Sequence, residues 1–159
     1  MKKMFILALA VTMVLAIAGS VMAGTATTSF TVQTNTIANC KITKAASTVD
    51  FGSYDPTSGT DNDTGAGSFG FKCTKGTTYK IYITGARAMT SGSETLNFEL
   101  YSDSGRSAIF PSTNAAGISG NATSNGVEIL TNIYGRIPKE QDVTASLTFN
   151  QTLIATVDY

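Results

Sequence analysis

The sequence predicts an all-β, immunoglobulin-like sandwich held by one disulfide. Three observations carry that expectation. Apolar residues recur with a period of two rather than 3.6, turn-forming residues punctuate the runs, and exactly two cysteines are present among 159 residues. No stretch after residue 23 carries a helical stripe.

The first segment belongs to export rather than to the fold. Lys2 and Lys3 precede an uncharged apolar run, Met4 to Ala18, and small residues follow up to Val21-Met22-Ala23. A basic head, an apolar middle and a small-x-small end describe a secretory signal peptide over residues 1–23. The run is shorter than the ~20 residues a membrane span requires. Removing it leaves 136 residues, enough for one domain with a real core. Without its two lysines the chain has 9 basic and 11 acidic side chains, a net charge of −2. These charges are scattered, and the absence of a basic stripe argues against a nucleic-acid partner.

Residues 24–36 begin with a strand-like alternation. Thr28, Phe30, Val32, Thr34 and Thr36 share one face, while Thr31, Gln33 and Asn35 share the other. Cys40 and Cys73 follow. In an exported chain an even pair reads first as a disulfide, and closing that loop stabilises the fold by about 3–4 kcal/mol in the chain-entropy account. With no His in the chain, a metal shell and a thiol nucleophile each lack a necessary partner.

Val49 and Phe51 form a short apolar pair before FGSYDPTSGTDNDTGAG, which reads as a long loop. Phe69, Phe71 and Cys73 alternate next, then Tyr79, Ile81 and Ile83, then Leu96, Phe98 and Leu100. Lys75-Gly76 fits a hairpin turn, and SDSG (Ser102 to Gly105) a second turn. Residues 111–126 are a polar, Gly-rich connection with little to bury. Val127, Ile129, Ile133 and Ile137 follow. The longest alternation comes last, through Ala145, Leu147, Phe149, Gln151, Leu153, Ala155, Val157 and Tyr159.

That last run keeps its apolar face to Tyr159 with nothing after it to return and cover the sheet edge. An open edge invites strand addition from another chain, and the spare N-terminal strand is the obvious filler. One copy's terminal strand in the next copy's unfinished sandwich makes a head-to-tail polymer. The same strand folding back into its own sandwich gives a monomer, and periodicity alone does not separate the two.

Other constellations are weaker. DNDTG (Asp61 to Gly65) begins like a calcium loop, but its twelfth position is Lys72 instead of a bidentate Glu. Asn62-Asp63-Thr64 and Asn121-Ala122-Thr123 fit the glycosylation tripeptide. Arg106 is expected to satisfy carbonyls or pair with Asp103, and Arg136 to play a structural part. Neither Glu94 with Glu99 nor Glu128 with Glu140 stands out as the convergent carboxylate pair of a glycosidase, so the chain does not read as an enzyme.

Six pieces in order resemble the spore coat protein U domain, shared with the major subunits of archaic chaperone–usher pili. They are TTSFTVQTNTIANC, FGSYDPTSG (Phe51 to Gly59), CTKGTTY (Cys73 to Tyr79), LNFELYSDSGR (Leu96 to Arg106), IYGRIPKEQ (Ile133 to Gln141) and FNQTLIATVDY. The resemblance implies an incomplete sandwich over residues 37–159, kept soluble by a periplasmic chaperone and assembled at an outer-membrane usher. There the N-terminal segment of one pilin subunit replaces the chaperone strand in its neighbour. Carried over by position, the donor is about Ala26 to Thr36 within the segment 24–36, with Phe30 and Val32 as its main plugs. The acceptor edge is Phe149, Leu153, Ala155, Val157 and Tyr159. Thr34 and Thr36 stand where such subunits often carry larger aliphatics, Leu147 where a Gly is common and Gln151 where an Asp is common. The implied role is mechanical, a surface fimbrium or coat serving attachment and biofilm, with no cofactor. The alternative is a self-complemented secreted coat or adhesin module binding a surface or glycan.

Overall fold

A computed structural model describes residues 24–159; the expected signal peptide lies outside the described residues. The chain divides after Asn35 into an N-terminal unit and a body from Thr36 to Tyr159. In the first, residues 24–35 carry no strand, and Phe30 and Val32 are 86% and 83% exposed.

The body is an all-β, immunoglobulin-like sandwich without a helix among its described residues. Strand β1 (Cys40–Lys44) pairs with β2 (Ala66–Cys73), β2 with β8 (Ile129–Arg136), and β8 with β6 (Glu99–Tyr101), all antiparallel. The facing sheet has β3 (Thr78–Thr84) between β7 (Ile118–Asn121) and β9 (Ile154–Asp158). A hairpin of β4 (Ala88–Ser91) and β5 (Glu94–Asn97) completes the set. The period-two pattern decides what lies between the sheets. Phe69, Phe71 and Cys73 from β2 meet Ile81 and Ile83 from β3, with Leu100, Phe110, Ile133 and Ile137 filling the rest.

Several elements differ from the sequence expectation, each for a local reason. The alternation Leu96 to Tyr101 is two strands, because β5 pairs with β4 and β6 pairs with β8. At the switch the Phe98 N–H donates to the Arg87 carbonyl at 3.0 Å. Lys75-Gly76 does not turn a hairpin: it sits in a tight turn, Thr77 N–H to Thr74 O at 3.0 Å, that carries the chain from one sheet to the other. Gly76 takes φ 84° there, a conformation that favours glycine. Residues 111–126 hold β7 as well as the buried Ala122. Gly120 of β7 lies under the Tyr79 ring, so a Cβ there would sit 2.4 Å from its Cζ. That strand is specified by its partner rather than by an apolar period. The final alternation is strand only over Ile154–Asp158, because β3 ends at Thr84 and offers no partner further back.

Candidate functional site

β1 and β9 are edge strands of the two facing sheets, with β6 and β7 at the opposite edges. β1 pairs only with β2, and β9 pairs only with β3. The β1 and β9 edges flank an open seam between the sheets. The Cys40–Cys73 disulfide forms at one end, joining directly opposed residues of β1 and β2 with their Cα atoms 4.1 Å apart. From there the seam runs as a trench in three successive stretches.

The first stretch, about 200 Å³, is lined by Ile42 and Phe71 on one wall and by Ala155 and Val157 on the other. Cys40, Ile42, Phe71 and Cys73 share the inward parity of their sheet, yet Ile42 is 47% exposed. An inward-facing isoleucine left half in water marks a core position without a lid. The middle stretch, about 370 Å³, lies among Val49, Phe51, Phe98, Ile133, Leu153 and Ala155. The last, about 530 Å³, opens among Phe51, Tyr54, Leu96, Val143, Leu147 and Phe149.

Four of the five acceptor-edge residues expected from the sequence therefore line the trench. Phe149, Leu153, Ala155 and Val157 are half-buried and packed against the core. Tyr159 is 56% exposed, and its hydroxyl donates to Asn39 Oδ1 at 3.1 Å across the disulfide end of the seam. The opposite wall, Ile42, Val49 and Phe51, was not legible as a wall. The only signal was the apolar pair Val49 and Phe51, and Ile42 is a lone apolar residue in CKITK.

The polar residues singled out in the sequence form a structural clamp beyond the trench floor. Arg136 donates from Nε and Nη2 to the two Asp63 carboxylate oxygens at 2.7 and 2.8 Å. Its guanidinium lies 5.8 Å from the Tyr101 ring centroid. Arg106 Nε donates to the Gly135 carbonyl at 3.0 Å and lies 3.3 Å from Asp63 Oδ1, and Nη2 reaches the Asp63 carbonyl. Arg106 thus satisfies carbonyls, as expected, but pairs with Asp63 rather than Asp103. The Asp103 carboxylate instead accepts the N–H groups of Ser107 and Ala108, closing its own turn. The hydrogen bonds from Arg136, helped by both arginine charges, hold the Asp63 carboxyl below its ordinary range. Asp61 lies 3.5 Å from Arg136, so both carboxylates of the DNDTG loop face guanidinium groups.

Three of the four glutamates are engaged separately. Glu99 meets Arg87 at 3.2 Å, Glu94 accepts from Thr144, and Glu128 accepts from Thr43.

The body is thus a two-layer sandwich with an unroofed apolar seam and one disulfide. Residues 26–156 match the family model described as Spore Coat Protein U domain, and the chain belongs to that family. It is a family of surface fimbrial and coat domains rather than enzymes, which implies export. No curated protein matches the chain.

Proposed function

We propose that this protein is a subunit of a surface polymer, built by strand exchange between copies. The trench receives residues 26–36 of a neighbouring molecule, with Phe30 and Val32 entering between the sheets. Before assembly a periplasmic chaperone occupies the same seam, and an outer-membrane usher is the place of exchange. The single observation that carries this reading is the pair of unpaired edges, β1 and β9, on either side of one apolar trench.

The physical sense is direct. An added strand satisfies the backbone groups of both edges while alternate side chains fill the seam. Burying Phe30 and Val32 contributes about 1.5–3 kcal/mol each, and each ladder hydrogen bond about 1 kcal/mol net of water. Product of this kind attaches cells to surfaces and to one another by mechanical linkage.

The test compares the processed chain, a chain lacking residues 24–36, and Phe30→Asp. The processed chain should give SDS-resistant ladders and the truncated chain none. Phe30→Asp should reduce laddering without altering the unfolding of the isolated body. Stable monomers from all three refute exchange. Unfolding of the Phe30→Asp monomer would assign the strand to its own sandwich instead.

A further inference from the structure

The two ends of the trench differ in charge. At the disulfide end, Lys41 and Lys72 stand directly opposite each other on β1 and β2, and Lys75 lies in the turn that follows Cys73. Like charges directly opposed on a sheet are unfavourable, and no salt bridge relieves them within the described residues. At the far end the sign reverses. Asp50 lines the widest stretch of the trench beside Tyr54 and Pro56, which flank Asp55. Glu94 is tied to the lining residue Thr144, and the exposed Glu140 and Asp142 lead into Val143. Lys139 is the cation of that stretch.

We infer that these ends form a contact surface between copies of this chain, lysine end of the donor molecule against acidic end of the acceptor. The inference rests on the strand-exchange reading and adds an interface and a direction to it. The donor segment is tied to its own body at Cys40, the lysine end, through Ile37 to Asn39. Three extended residues span only about 10 Å, close to the ~8 Å screening length of physiological salt. The donor's body therefore abuts whichever end of the acceptor trench receives Thr36. Entry with Thr36 at the disulfide end sets lysines against lysines. Entry with Thr36 at the Phe149 end sets lysines against Asp50, Glu140 and Asp142. The favoured donor consequently runs antiparallel to β9. Exposed pairs of this kind act mainly on encounter rate and orientation.

Two double variants test the contact, Lys72→Glu with Lys75→Glu, and Glu140→Lys with Asp142→Lys. Lys41 and Asp50 are left alone because they line the trench. At low salt each variant alone should polymerise about tenfold or more slowly than the unaltered chain. An equimolar mixture should recover the rate, because each reversed end then meets its complement. The differences should vanish near 0.5 M salt, at roughly the screening expected there. Uptake of a fluorescent peptide of residues 24–36, which has no body to repel, should be the same for all chains. Variants that polymerise as fast as the unaltered chain at low salt, or a mixture that stays slow, overturn the contact while leaving strand exchange standing. Failure of the unaltered chain to take up the peptide overturns both.

Discussion

Asp63 is the residue on which the long FGSYDPTSGTDNDTGAG loop is fastened to β8. Its carboxylate takes two hydrogen bonds from Arg136, and its carbonyl takes one from Arg106. Because the folded carboxyl titrates below its unfolded range, its contribution is fully present above pH ~4. It is lost as pH falls through the lower, folded value. Asp63→Asn should therefore melt at a lower temperature near neutrality and lose less on acidification from about pH 4 to pH 2. Asp55 and Asp103 are also held low by hydrogen bonds, but they are common to both proteins and cancel in the difference. Parallel acid limbs would contradict the assignment.

A second residue-scale prediction concerns Phe51, whose ring rests on Gly65 and Gly135. A Cβ on Gly135 would lie 2.4 Å from the ring's Cζ. The two glycines are themselves joined, Gly135 N–H to Gly65 O at 2.8 Å, so the floor cannot spread. Gly135→Ala should cost about 1–3 kcal/mol by denaturant unfolding. An unchanged midpoint would show that the ring has room to shift.

At the scale of elements, period-two alternation was a good guide where a strand has a partner along its length. Phe69 to Cys73 and Tyr79 to Ile83 were legible because both faces of their sheets are decided by burial. β1 and β4 were not, because CKITK and AMTS show too few apolar residues for a period to register. β7 is held by backbone pairing to β3 and by the ring of Tyr79 over Gly120, neither of which leaves an apolar signature. The opposite error occurred at the end of the chain. Residues 145–153 alternate as a strand should, yet only Asn150 makes a bridge, to Thr90. The pattern there has no matching strand among the described residues of the body.

That mismatch has a measurable consequence. A donor of eleven residues, Ala26 to Thr36, is longer than the five strand residues of β9. Full pairing requires Phe149 to Leu153 to become extended as well. Hydrogen exchange of the body with and without the donor peptide should show new amide protection at residues 149–153 as well as at 154–158. Protection confined to 154–158 would mean that the donor engages only half the trench.

At the scale of the molecule, the covalent and ionic fastenings lie outside the trench floor. The disulfide ties β1 to β2 at one end, and Asp63 with its two arginines ties the loop to β8. The seam between β1 and β9 is spanned by a hydrogen bond from Tyr159 to Asn39 at the disulfide end. The alternations of residues 24–36 and 145–159 were each readable in the sequence. The second wall, and the charge difference between the two ends, required the register of β1 on β2 to become visible.

The most direct measurement is calorimetric melting of a chain beginning at residue 37, with and without a synthetic peptide of residues 24–36. One equivalent of peptide should bind and raise the melting temperature by several degrees or more, as occupancy of a native-only site demands. The same peptide carrying Asp at position 30 should do neither. A body whose melting is indifferent to the peptide has no vacancy of the required kind, and the account fails.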